Sequence, residues 1–146
     1  MTTSARRTVD DLHRDACARI DCLSPEEARA ETDTGALIID IRTPDNRRRD
    51  GIVPGSVYIE RTVLEWRVDP DCPWHNPHLG GVEQRLIVMC DHGYSSALAA
   101  ASLADLGFVR PAHLVGGFEA WREAGLPVRS CPAEPTPGLP GSGPPD

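Results

Sequence analysis

The residues with the clearest capacity for chemistry are Cys90 and the run behind it, Asp91-His92-Gly93-Tyr94-Ser95-Ser96. Leu86 to Met89 is a short continuous apolar run, which reads as a buried strand, and Ala97 to Leu106 has the alanine and leucine content of a packed helix. Cys90 therefore stands at a strand end, before a tight loop that opens a helix. Free amides of a helix start and the positive end of its dipole favour an anion, and a cysteine so placed can have its pKa lowered from about 8.5 to roughly 3.5–7.5. Gly93 allows the loop a positive φ, and Ser95 or Ser96 can cap the helix. An isolated cysteine is more often a small apolar residue finishing a core strand. The glycine loop and the helix start favour a nucleophilic thiolate.

The elements that must hold this loop are legible along the chain. Val9, Leu12, Ala16 and Ile20 recur at helical spacing, so Thr8 to Ile20 reads as an added N-terminal helix that packs on the domain or on a second subunit. Ser24-Pro25-Glu26-Glu27 is a helix start, with a capping serine, proline in the first turn and glutamate three residues after the cap; the helix should run to about Glu31. Gly35 precedes a buried strand from Ala36 to Ile41, and Val57 to Ile59 forms another after the Pro54-Gly55 turn. Strands at Leu86 to Met89 and Ala112 to Val115 alternate with helices, which implies an α/β fold, a central parallel sheet with helices on both faces. Such a sheet carries its ligand site at the C-terminal strand edge, where Cys90 falls.

Composition sets the outer bounds. A chain of 146 residues with 40% hydrophobic content buries one core. A net charge of −7 argues against a nucleic-acid surface. No apolar stretch approaches the ~20 residues of a membrane span, and Met1 to Arg7 is followed by no apolar signal core, so the expected setting is the cytoplasm, with no membrane partner. The five cysteines, Cys17, Cys22, Cys72, Cys90 and Cys131, contain no Cys-x-x-Cys pair, and neither a disulfide framework nor a zinc site follows from their spacing. Five residues apart on one helix, Cys17 and Cys22 would face different sides. Cys72, His75 and His78 sit among prolines in what reads as an irregular loop rather than a metal site. Ser130 to Asp146, with six prolines and three glycines, has little to bury and reads as a flexible tail. The resulting division is an N-terminal helical extension over 1–21, a domain over 22–129 and a tail over 130–146.

Four segments in order carry a family resemblance. They are Leu37-Ile38-Ile39-Asp40-Ile41-Arg42, Gly51-Ile52-Val53-Pro54-Gly55-Ser56, the Cys90 to Ser96 loop, and Leu114-Val115-Gly116-Gly117-Phe118-Glu119-Ala120-Trp121 continuing to Val128. Together they resemble a rhodanese-like domain over roughly Cys22 to Val128. The resemblance implies a single-domain sulfurtransferase in which Cys90 takes sulfane sulfur from thiosulfate or a persulfide, holds it as a persulfide within the amides of Asp91 to Ser96, and passes it to a thiophilic acceptor. It implies no cofactor or metal, a small-molecule or protein sulfur donor and acceptor as partners, and a monomer or homodimer. The same fold hosts inactive modules, so a non-catalytic binding or regulatory module, or a cysteine redox sensor, are the other readings.

Departures from the family pattern locate the open questions. The family loop often ends in arginine; here its sixth and seventh residues are Ser95 and Ser96, which leaves no bidentate donor for a phosphate or arsenate. Asp91 places a carboxylate beside the nucleophile, where it would repel an anionic donor if it faced the pocket. His92 offers a proton donor or a solvated loop residue. Arg61 is the candidate for the positive charge absent at Ser95, while Asp40 and Arg42 either pair with each other or orient the loop. Arg47, Arg48 and Arg49 read as a solvated helix face, and Trp121 as core.

Overall fold

In the computed structural model, which describes residues 5–133 and 138–146, five short strands form one wholly parallel sheet in the order β1-β5-β4-β2-β3. The strands are β1 (Asp21–Leu23), β2 (Leu37–Asp40), β3 (Val57–Tyr58), β4 (Leu86–Met89) and β5 (Ala112–Leu114). The helices are α1 (Val9–Cys17), α2 (Pro25–Thr32), α3 (Pro44–Asp50), α4 (Leu64–Val68), α5 (Ser95–Asp105) and α6 (Gly117–Glu123). Residues 134–137, within the stretch read as a flexible tail, and residues 1–4 lie outside the described residues.

Strand periodicity sorts the core onto two faces. Ile39, Leu86, Val88 and Cys90 face α4 and α5 with Leu64, Ala99 and Leu103. Ile38, Ile87 and Met89 face the other way, onto Ala28 of α2 and Phe118 and Trp121 of α6. β4 is central, with β5 and β2 on its edges and helices α4 and α5 on one face and α2 and α6 on the other, so all four of its residues are buried. This explains why it reads as an unbroken apolar run rather than an alternating one.

Local signals fix the helix starts. Ser24 caps α2 in a capping box with Glu27, and Thr8 caps α1 in the same way with Asp11. α1 lies on α5 through Ala16, Ala97 and Ala101, so it belongs to the packed domain, while Val9 and Leu12 of its apolar stripe stay exposed.

Two expectations are corrected here. Arg47 leaves the solvated face: it is buried, donates to Asp40 (3.1 Å) and Asp146 (2.9 Å), and stacks on the Tyr58 ring at 3.8 Å. Arg48 and Arg49 remain exposed. The C-terminal segment 138–146, read as flexible, is instead tied down through its backbone. Asn76 donates to the carbonyls of Gly141 (2.8 Å) and Gly143 (2.9 Å), Arg67 to that of Pro140 (2.6 Å), and the Asp146 amide to Ser56 (2.8 Å). Proline and glycine bury little apolar area, but their carbonyls are full acceptors, and a buried asparagine with unmet donors holds them.

Candidate functional site

The site forms where β4 ends. α5 begins at Ser95, two residues earlier than its alanine-rich part suggests, and Tyr94 occupies the cap position without a side-chain cap. Neither serine caps the helix. The Ser96 hydroxyl turns instead to the sulfur, and its oxygen lies 3.3 Å from Cys90 Sγ. The Gly93 amide donates to the same sulfur at 3.1 Å. Cys90 is only 7% exposed. Burial pushes its thiol up, but hydrogen bonds from the Ser96 and Ser95 hydroxyls and the Ser96 and Gly93 amides outweigh it and hold the thiol below its ordinary value. A thiolate so placed is stabilised relative to that of a free cysteine.

The loop is closed by glycine contacts from α6. The amides of Phe118 and Glu119 donate to the carbonyls of Cys90 (2.8 Å) and Asp91 (3.1 Å). This approach requires Gly117, at φ +64°, where a Cβ would lie 2.5 Å from Cys90 O and from Asp91 C. Gly93, at φ +89°, similarly abuts the Gly116 amide, which a Cβ would meet at 2.7 Å. The geometry of the Cys90 loop is thus set from both sides by backbone.

Asp91 does not face the sulfur. Its carboxylate accepts from the Asn46 side chain on α3 and lies 3.9 Å from Arg42 Nη1. His92 is exposed and meets Glu119 at 2.6 Å. Tyr94 is exposed, and Ser95 lies at the helix start. A cleft of about 200 Å³ opens beside the loop, lined by Arg49, Asp50, Asp91, His92, Phe118, Glu119 and Arg122. Its two arginines come from α3 and α6, neither of which the loop sequence points to.

Asp40 and Arg42 pair with each other. Arg42 donates to both carboxylate oxygens (3.0 and 2.9 Å) and to the Gly51 carbonyl (2.8 Å), and its guanidinium stacks 4.0 Å over the Phe118 ring. Both side chains are fully buried, so the network fixes the end of β2 beside the loop. Arg42 Nη1 has no hydrogen-bond partner among the described residues, and its charge offsets that of Asp91. Arg61 is elsewhere engaged, with its guanidinium on Glu65 at 2.9 and 3.0 Å.

Sequence reasoning missed the groups behind the sulfur. Ser96 Oγ is also 3.0 Å from Nδ1 of His113, on β5, which is 2% exposed. Burial, and then the charge of His13, push His113 down to about 4, so the imidazole is neutral at pH 7. His13 on α1 lies 3.2 Å from the Gly93 carbonyl through Nε2. The only sequence signal for this layer is a histidine within an otherwise apolar strand.

Known proteins resemble this chain in sequence and in fold. The family model for the rhodanese-like domain matches residues 24–124. A thiosulfate sulfurtransferase GlpE of Stutzerimonas stutzeri is 38% identical over 100 residues, covering 68% of this chain and 83% of that relative. A Rhodopseudomonas palustris protein of unknown function, described as a possible tyrosine phosphatase, superposes with a TM-score of 0.76 at 35% identity, covering 88% of this chain and 99% of that one. The polysulfide-sulfur transferase homodimer of Wolinella succinogenes superposes with a TM-score of 0.63 at 25% identity, covering 86% of this chain and 90% of that one.

Proposed function

The chain belongs to the rhodanese-like domain family, and from that premise we propose that it is a sulfurtransferase in which Cys90 carries sulfane sulfur as a persulfide. The observation that carries the reading is the convergence of the Gly93 amide and the Ser96 hydroxyl on a cysteine sulfur held below its ordinary pKa at a parallel-sheet edge.

The Cys90 thiolate attacks the outer sulfur of a donor. With thiosulfate, the new S–S bond forms at Cys90 as the donor S–S bond breaks, and sulfite leaves with the electron pair. The persulfide anion is held within the loop from Asp91 to Ser96, where the Gly93 amide and the Ser96 hydroxyl are donors already in place. An acceptor nucleophile, cyanide or a thiolate, then attacks the terminal sulfur and regenerates the Cys90 thiolate. No proton, electron or metal enters the balance. Asp40 and Arg42 position the strand end, and Asp91 contributes its amide while its carboxylate is held by Asn46.

The donor class follows from the charge at the rim. The serines at the loop end leave no guanidinium there for a dianion, and the neighbouring cleft mixes Arg49 and Arg122 with Asp50, Asp91 and Glu119. This supports weak binding of thiosulfate, and equally of a polysulfide dianion, and a persulfide as the donor. The setting proposed is the cytoplasm, where free thiols stay reduced. The phosphatase description of the Rhodopseudomonas protein is not extended to this chain, because its loop holds no arginine to clamp a tetrahedral oxyanion. Intact-mass measurement after incubation with thiosulfate or a low-molecular-weight persulfide tests the proposal: the expected product is the protein plus one sulfur, absent in Cys90→Ser. If neither donor yields the adduct, the enzymatic reading fails.

A further inference from the structure

Behind the Cys90 loop the chain assembles a second cluster of soft ligands. α1 ends at Cys17, and after three intervening residues the chain enters β1 at Asp21, so Cys17 and Cys22 lie on different elements. Cys22 Sγ turns back to lie 3.8 Å from the Cys17 carbonyl oxygen. β1 pairs with β5 in a register that sets Cys22 beside His113. As a result, one ligand atom each from Cys17, Cys22 and His113 lies within 4.8 Å of the other two, among the described residues. His13, one turn before Cys17 on α1, stands 3.8 Å from Cys17 Sγ through Nδ1.

We propose that Cys17, Cys22 and His113, with His13 as the fourth ligand, form a binding site for a thiophilic d¹⁰ cation, zinc in the first instance, that is coupled to Cys90 through Ser96. Two cysteines and two histidines are a structural zinc donor set, with bonds of about 2.0–2.3 Å and therefore ligand separations near 3.3–3.8 Å in a tetrahedron. Cys17, Cys22 and His113 need to contract by about 1 Å, and His13, which lies outside that group of three, has to move in to complete the tetrahedron. Cys22 can supply the contraction, being exposed on the edge strand.

Both imidazoles already have the outer contacts that ligating histidines make. His13 Nε2 lies on the Gly93 carbonyl, a contact only a protonated nitrogen can make, which leaves the lone pair on Nδ1; Cys17 Sγ is 3.8 Å from Nδ1 and 3.9 Å from Nε2, so the ring must turn to aim that lone pair at the site. His113 Nδ1 is engaged with Ser96, which leaves Nε2 free. Ligating histidines characteristically donate the second ring N–H to a carbonyl or another acceptor, which fixes tautomer and ring orientation.

The consequence for Cys90 is a matter of one proton. The Ser96 hydroxyl has a single hydrogen to give, either to His113 Nδ1 or to the Cys90 sulfur. A cation on His113 Nε2 requires the proton on Nδ1, so Ser96 accepts from His113 and its own hydrogen turns to the sulfur. Cation binding thus stabilises the thiolate without any metal contact to it.

Cobalt(II) titration of the reduced full chain, in wild type and in Cys90→Ser, is the test. The expected result is one cobalt per chain with thiolate-to-cobalt charge-transfer bands and tetrahedral ligand-field bands in both proteins, displaced by zinc. Cys22→Ser, a change at an exposed position, weakens binding by more than ~10-fold, while Cys131→Ser leaves it unchanged. No charge-transfer band with all thiols titrating as reduced, undiminished binding in Cys22→Ser, or a Cys17–Cys22 disulfide that excludes the ion each overturns the site. For the relay, the alkylation rate of the Cys90 peptide rises roughly fivefold on zinc loading, the worth of about one hydrogen bond; an unchanged rate overturns the coupling. Only the relay rests on Cys90 being the sulfur carrier. The cobalt spectrum is read independently of any sulfur transfer.

Discussion

Replacing Ser96 by alanine isolates the contribution of one hydroxyl to the Cys90 thiolate. Ser96 Oγ is 3.3 Å from the sulfur and heads the influences that hold the thiol below its ordinary value, against burial, which raises it. A hydrogen bond to a charged acceptor contributes about 1.5–3 kcal/mol, so its loss lowers the thiolate-to-thiol ratio by about 10- to 100-fold at a pH below the thiol's titration. The Gly93 amide at 3.1 Å remains, which places the expected effect at the lower end. The assay is the pH dependence of iodoacetamide alkylation, followed on the Cys90 peptide by mass spectrometry, with circular dichroism as the check on folding. Alanine also leaves the buried Nδ1 of His113 without its partner, a cost of about 1–3 kcal/mol in urea unfolding. If Ser96→Ala folds and its alkylation profile overlays that of wild type, the hydroxyl does not support the anion and the argument built on it is wrong.

Gly117→Ala should destabilise the fold by more than about 2 kcal/mol in urea unfolding, since its Cβ would enter 2.5 Å from Cys90 O at a φ of +64°. Asp40→Asn removes the charge that two buried arginines share and replaces one acceptor oxygen with a donor, and should cost about 3–5 kcal/mol, read by the same unfolding curves. Arg61→Ala, breaking a half-exposed ion pair with Glu65, should change stability by less than about 1 kcal/mol. His113 titrates near 4 when folded against 6.5 otherwise, so below pH 6.5 the unfolded chain takes a proton that the folded chain refuses. Stability should therefore fall as pH drops from 6.5 to 4, by about 2 kcal/mol after screening is allowed for. Chelator-treated protein unfolded in urea at several pH values reads this directly, and a flat response across that window would contradict the buried neutral imidazole.

What the sequence determined by itself is local. The apolar run of β4, the loop glycine and the alanine-rich α5 specify a strand–loop–helix unit, and Cys90 falls at its junction because periodicity changes there. The Ser24 and Glu27 capping box and the buried strand before Asp40 are legible for the same reason, each being a few residues long with its physical cause inside the segment. Tertiary structure decided everything that depends on two distant segments meeting. Asp91 turns from the sulfur because α3 brings Asn46 to it. Arg47 is buried because Asp40, Tyr58 and Asp146 converge on it. The proline-rich end is held because Asn76 and Arg67 lie where its carbonyls pass. Cys17, Cys22 and His113 meet only through the β1–β5 register and the break after α1. A side chain's partner across the sheet is set by strand order, and no spacing along the chain encodes strand order.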